Sequence, residues 1–248
     1  MRRVDCGVRL HDHKVRPDTV TANLSSTQGL TSAGDCIDIK ASNVILNGHN
    51  FTITGPGSET STGAGIDVLK GASGAFIDTS EVIGWKYGLL LQGKNTIVGN
   101  VGYANDVGAS SSTAPAGTNI NEVDAFNNTV YGVWIRGSKD NQINSGQSIS
   151  NTGTGLYIGC HDDDTRGTTC KGVKPSSGNR IYDFNAQSNG DAGVVIDLGN
   201  KGNVVRDVAI SDNSGGTDSI DENPSCGTDQ WIENGDSTFG VTSQSCIP

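Results

Sequence analysis

The stretch Asn127-Asn128-Thr129-Val130-Tyr131-Gly132-Val133-Trp134-Ile135-Arg136-Gly137-Ser138-Lys139-Asp140-Asn141-Gln142-Ile143-Asn144 decides how the chain folds, because its parts recur along most of the sequence. A Gly leads into a short alternating run, Val133-Trp134-Ile135-Arg136, a Gly-Ser bend follows, and Asn141 opens a second run at Ile143. Related runs stand at Gly65-Ile66-Asp67-Val68, Gly88-Leu89-Leu90-Leu91, Gly155-Leu156-Tyr157-Ile158 and Gly193-Val194-Val195-Ile196. From Ile66 to Leu89 is 23 residues, and so is Val133 to Leu156. Such strands are too short to bury anything alone, so a fixed period of this length predicts a solenoid whose core forms by stacking neighbours.

Composition agrees. The 248 residues include 35 Gly, with 33% hydrophobic and 5% aromatic residues, and no run carries apolar residues at the helical spacing. A β-solenoid tolerates this, because each coil buries a thin column of Ile, Val and Leu while Gly, Asn and Ser turn the corners. One domain is expected: an N-terminal cap over 1–35, coils over 36–221 and a C-terminal cap over 222–248.

Two gaps in the period are informative. Leu89 to Val133 spans 44 residues, so a coil of small residues must lie between them, with Val107-Gly108-Ala109-Ser110-Ser111-Ser112 as its first strand and Asn119-Ile120 opening its second. Leu156 to Val194 spans 38 residues, and the excess is a loop at 160–170 pushed out from one corner. Asn43, Asn95, Asn119, Asn141, Asn179 and Asn203 each stand just before a second strand. Stacked about 4.8 Å apart, their side chains are expected to bond to one another and to turn backbone. On this reading Asn119 and Asn141 carry more stability than Asn128, which reads as a surface residue.

The formal charge is −10 with no basic cluster, which argues against nucleic acid as a partner and makes an acidic polysaccharide awkward without a bridging cation. No stretch reaches the 18 or so apolar residues of a membrane span. Met1-Arg2-Arg3 leads into Val4-Asp5-Cys6 rather than an apolar signal core, so the expectation is a cytoplasmic chain or a mature exported one. Six cysteines favour export to the cell exterior or periplasm. Their order suggests Cys6 with Cys36, Cys160 with Cys170 and Cys226 with Cys246, among fifteen formal connectivities. His11-Asp12-His13 reads as an irregular strand, not a metal site.

The repeated Gly-Ile-x-Val strand, the Asn before the next strand, the opening Ala41-Ser42-Asn43-Val44-Ile45-Leu46-Asn47-Gly48-His49 and the ending from Cys226-Gly227-Thr228-Asp229-Gln230-Trp231 through Phe239-Gly240 to Cys246-Ile247 resemble the pectate-lyase-like superfamily. The resemblance implies an all-β fold, a right-handed parallel β-helix of about eight coils. It also implies ligands on the outward face of each coil's first strand. That face offers Asp38, Asp67, Leu90, Trp134, Tyr157 and Val195 in one column, with Lys40, Gln92, Arg136 and Asp197 in the next.

Two aromatics in adjacent coils, Trp134 and Tyr157, suit a sugar stacking in a shallow groove, so Trp134, Gln92, Asp67 and Lys40 are the candidate substrate-binding residues. A lyase or epimerase acting on a uronate needs a cation for the carboxylate, a base for the C5 proton and an acid. Arg136 or a bound Ca²⁺ is expected to supply the first, and Tyr157 with His161 the others. Asp162, Asp163 and Asp164 offer oxygen ligands for Ca²⁺, without the spacing of a calcium loop. The expected function is thus a secreted polysaccharide lyase or uronate epimerase; the alternative is a non-catalytic polysaccharide-binding module or a structural surface protein. A polygalacturonase-like hydrolase is disfavoured, because the Gly-flanked His and the basic residue of that set are missing.

Overall fold

The computed structural model describes residues 6, 8–10, 17–19, 23–25, 34–99, 101–105, 107–112, 117–161, 172–233 and 238–248. The chain winds through two parallel sheets, of nine and twelve strands, in which sequence-successive coils are hydrogen-bonded neighbours. This is a right-handed parallel β-helix, all-β apart from a 3₁₀ turn at Pro224–Cys226 among the described residues. Sheet one carries the repeated Gly-led strands, among them Ala64–Val68, Tyr87–Leu91, Val107–Ser112, Tyr131–Arg136, Thr154–Ile158 and Val194–Ile196.

Register follows the sequence period. Ile66 pairs with Leu89, Leu89 with Ala109, Ala109 with Val133, Val133 with Leu156, and Leu156 with Val194. The small-residue coil at 107–112 and the loop excess after Ile158 therefore fall where the two irregular gaps put them. Opposite, Leu46, Ile77, Val98, Ile120, Ile143, Ile181, Val205 and Trp231 form the matching column of sheet two. These columns meet to form one continuous buried core. Each such side chain contributes roughly 1.5–3 kcal/mol by leaving water, so stability accumulates coil by coil.

The ladders run into both expected caps: Val8–Leu10 pairs with Ile37–Ile39, and Gln230–Ile232 with Val204–Arg206. Cys6 is bonded to Cys36 and Cys226 to Cys246. Cys160 is also in a disulfide; its expected partner Cys170 lies outside the described residues, as do His11, Asp12 and His13.

The repeated Gly has a steric cause. A Cβ on Gly132 would collide with the Gly155 carbonyl and the Ser148 side chain, and one on Gly155 with the Gly193 carbonyl. Consecutive coils approach too closely at these positions for any side chain, which is why glycine stands there.

Asparagine ladders exist, but their membership differs from the sequence expectation. The first runs Thr118–Asn141–Asn179–Asn203–Asp229, each backbone N–H donating to the next side-chain oxygen at 2.7–3.2 Å. Asn119 sits one residue further on, half-buried in the strand. Asn43 and Asn95 are instead exposed left-handed turn residues, φ 59° and 50°, where Asn's short polar side chain tolerates positive φ. A second ladder, at the other end of sheet two, runs Asn105–Asn128–Asn151–Asn189–Asn213–Asp218. Asn128 is thus a fully buried rung rather than a surface residue. Both ladders end on Asp. The last rung receives N–H donors and has no further rung to donate to, so an acceptor-only carboxylate suits it better than an amide.

Asn128→Leu should cost roughly 2–4 kcal/mol, because it strands the buried Asn105 N–H and empties the acceptor position, whereas Asn119→Leu should cost no more than ~1 kcal/mol. Thermal unfolding of the two variants checks this; equal shifts would refute the assignment of Asn128 to the ladder.

Candidate active site on the outer face of sheet one

The outward column of sheet one pairs Asp38 with Asp67, Asp67 with Leu90, Leu90 with Ser110, Ser110 with Trp134, Trp134 with Tyr157 and Tyr157 with Val195. Asp67 and Tyr157 are four rungs apart, about 19 Å at strand spacing. The candidate residues therefore divide into two groups, one in the early coils and one in the late.

In the late coils the face is covered, contrary to the expectation of exposed aromatics. Trp134 is 2% and Tyr157 0% exposed, and with Val107, Tyr131, Ala192 and Val195 they make a second apolar cluster outside the sheet. The rings are too large to stay separately solvated on adjacent rungs, and they close on one another. Tyr131 stacks on Tyr157 with ring centroids 4.6 Å apart and tilts against Trp134 at 5.4 Å. The outgoing segment seals them: Trp134 Nε1 donates to the Gly159 carbonyl at 3.0 Å and the Tyr131 hydroxyl to the His161 carbonyl at 3.1 Å. Trp134 is therefore not an open stacking platform. Arg136, half-buried, lays its guanidinium over the Trp134 ring, 5.0 Å from the centroid.

At the edge of this cluster three polar groups converge. The Tyr157 hydroxyl donates to Asp197 Oδ2 at 2.8 Å, and His161 Nε2 lies 3.3 Å from the same oxygen. Asp197 Oδ1 accepts from the Leu198 N–H at 2.8 Å. The Asp197 side chain is completely buried, while that of His161 keeps 15% of its surface in solvent. Burial above all, and then the Asp197 carboxylate, drive the Tyr157 pKa far above its ordinary value, so the phenol keeps its proton. Asp197 thus holds a neutral Tyr on one side and a solvent-edge imidazole on the other. Alternation puts Asp197 on the outward face but assigns it no role. Its link to Tyr157 spans 40 residues, and the signal that could have found it is the pairing of Tyr157 with Val195 once the loop excess is subtracted.

Cys160, His161 and Asp197 bring three donor atoms within 4.8 Å of one another. Cys160 is in a disulfide and has no thiolate to offer a metal, and an imidazole with one carboxylate is not the oxygen-rich set that calcium takes. Asp162, Asp163 and Asp164 lie outside the described residues.

In the early coils Gln92 Nε2 donates to both Asp67 oxygens, at 3.1 and 2.9 Å, while Lys40 is exposed. Burial pushes the Asp67 carboxyl up to about 7; Gln92 opposes this, and the charges of Asp35 and Asp38 add to it. A carboxyl whose pKa is raised in the fold keeps a proton that the unfolded chain has lost, so stability falls as pH rises between the two values. Asp67→Asn, which cannot ionise, should match wild type near pH 4 and melt roughly 5 °C higher at pH 8. Melting temperatures across that range check it; parallel pH profiles would refute it.

No protein-family model matches the chain, and no curated protein matches it in sequence. Among solved structures it is similar to the Azotobacter vinelandii mannuronan C-5 epimerase AlgE6 A-module, with a TM-score of 0.69 at 15% identity over 94% of this chain. It is also similar to the Dettilon tailspike protein gp208, with a TM-score of 0.53 at 13% identity over 99% of this chain. The chain spans 64% of the first of these and 58% of the second. What it shares with both, at these identities, is the right-handed parallel β-helix fold.

Proposed function

We propose that the protein is a carbohydrate-active β-helix that removes the C5 proton of a uronate within a polysaccharide, the step common to uronate lyases and C5 epimerases. The observation that carries this reading is the Tyr157–Asp197–His161 cluster: a buried carboxylate bonded to a phenol and 3.3 Å from an imidazole at the solvent edge. The solved-structure likeness to a mannuronan epimerase module supports it at the level of fold. The disulfides fit an exported protein, and no helix among the described residues is long and apolar enough to cross a membrane.

His161 is the group of the three that reaches solvent, and we assign it the base. With Nε2 turned to Asp197, the proton from C5 is assigned to the imidazole's Nδ1. Asp197 steadies the imidazolium that results, and Tyr157, bonded behind it, fixes Asp197 without meeting the sugar. Arg136, on the rung row of Gly159 and Asp197, offers charge to the uronate carboxylate, which acidifies C5; any calcium would share that task. In elimination the C5–H and C4–O bonds break, C4=C5 forms and the imidazolium returns its proton to the departing oxygen. In epimerisation C5 is instead reprotonated from the opposite face by solvent water, and the imidazolium gives its proton back to solvent.

Incubation with polymannuronate, polyguluronate, polygalacturonate and glucuronan in D₂O tests both branches together. Deuterium at C5 reports epimerisation, and absorbance near 235 nm reports elimination. His161→Ala should abolish either signal. Asp197→Asn should lower kcat by roughly 10²–10⁴-fold, in the range usual for acid–base machinery, and Tyr157→Phe by less. Loss of turnover in EDTA would assign part of the carboxylate binding to calcium. No exchange and no absorbance with any of the polymers, in EDTA or with calcium, would refute the catalytic reading in favour of a non-catalytic binding module.

A further inference from the structure

On a chain of net charge −10, one corner of the helix is lined with cations. A hollow of about 330 Å³ opens between Gly137, Lys139, Lys174, Pro175, Ser177 and Lys201. All three lysines are exposed, and none makes an ion pair among the described residues. Parallel bridges join Lys139 to Ser177 and Ser177 to Lys201, so Lys139 and Lys201 stand two rungs apart on one row, about 9.6 Å along the axis. Lys94 belongs to the same row. It stands two residues before Thr96, as Lys139 and Lys201 stand two residues before the rungs Asn141 and Asn203. Between Lys94 and Lys139 lies one further coil, so a lysine recurs every second coil.

Lys174 is brought to this row from outside the repeat. It returns with the segment that follows the 160–170 loop and lies directly on the turn at Gly137. That residue has φ 59°, and a Cβ on it would approach Val173 to 2.8 Å and the Lys174 carbonyl to 3.2 Å. Glycine is thus required there twice, by its backbone angle and by the close approach of the returning segment. The corner begins one residue after Arg136, on the flank of the outer face that holds Tyr157, Asp197 and His161. The nearest carboxylate in sequence, Asp140, reaches over the next turn to Gly178, beside Ser177.

We infer that this corner is an anion subsite that holds carboxylates of a polyuronate chain running along the helix axis. A row of cations at every second rung matches every second ring of an extended 1,4-linked polyuronate, a periodicity that an isolated phosphate or a single acidic side chain does not exploit. Lysine suits the task because a compact, mobile ammonium follows a carboxylate without demanding bidentate geometry. The inference rests on the proposed function only in taking a polyuronate as the ligand.

Calorimetric titration of wild type, Lys139→Ala/Lys201→Ala and Lys139→Arg/Lys201→Arg with saturated mannuronate, guluronate and galacturonate hexamers, in EDTA at low salt, tests it. Removing both ammonium groups should weaken binding of the preferred hexamer about tenfold. The arginine pair should bind within about twofold of wild type, and the difference should vanish near 1 M salt. Alanine variants that melt like wild type and bind all three hexamers as wild type does would overturn the subsite. So would an equal loss of affinity for cellohexaose. The two readings separate cleanly: lysine-dependent binding without C5 exchange keeps the subsite and discards the catalysis. C5 exchange with lysine-independent binding does the reverse.

Discussion

Everything in this molecule depends on how the corners between its sheets are satisfied. A strand of two to ten residues ends in a turn whose inward N–H groups cannot reach water, and an unpaired buried N–H costs about as much as the hydrogen bond it lacks. The side-chain oxygen of an Asn one coil further on closes that deficit at both ends of sheet two, as from Asn151 to Asn128 and from Asn203 to Asn179. Its NH₂ group turns the other way, from Asn151 to the Ala125 carbonyl for example. Each coil is therefore completed by its successor, and the arrangement needs a defined end. Asp229 and Asp218 supply it, although burial pushes the Asp229 carboxyl up to about 6 against the bonds donated by Asn203 and Asn223.

A scaffold satisfied at its corners leaves its outer faces free to differ along the axis. On sheet one the early coils present the acidic surroundings of Asp67, and the late coils bury Tyr131, Trp134 and Tyr157 beneath Gly159 and His161. Apolar cover gives Asp197 its character. A carboxylate with no exposed side-chain surface is costly to leave alone, and among its partners are a backbone N–H, a phenol and an imidazole. The aromatic cluster acts through that constraint rather than as a sugar platform.

The fold was legible because its signals are local and repeated. Gly65, Gly132 and Gly155 mark strand starts, Ile and Val alternate at period two, and subtraction of the period exposed both the small-residue coil at Val107 and the corner loop. The ladders were only half legible. Asn141, Asn179 and Asn203 are rungs, but Asn43, Asn95 and Asn119 precede strands for other reasons, and Asn128 looks like any surface Asn until its coil is closed. Composition does not distinguish an Asn that bonds across a corner from one that adopts positive φ. At the candidate site, alternation placed Trp134 and Tyr157 on the outer face correctly and still missed their burial, because covering a face is a property of neighbouring side chains and loops rather than of period. Asp197 was missed as a centre for the related reason that its partners arrive from 36 and 40 residues away.

Net charge misleads in the same way. A total of −10 argues against an anionic polymer only if charge is spread evenly, and a stacked fold does not spread it. Any residue type that recurs at one position of the repeat becomes a row along the axis, spaced by multiples of the strand separation. Asp35, Asp38 and Asp67 concentrate negative charge on the early coils, enough to help keep a proton on Asp67 near pH 7. Lys94, Lys139 and Lys201 form a row at the corner that follows sheet one, joined by Lys174 through the returning loop segment. A charged ligand responds to the field within roughly a Debye length, about 8 Å at physiological salt, so it meets the row and not the total. A β-helix can therefore be acidic as a whole and cationic along one edge.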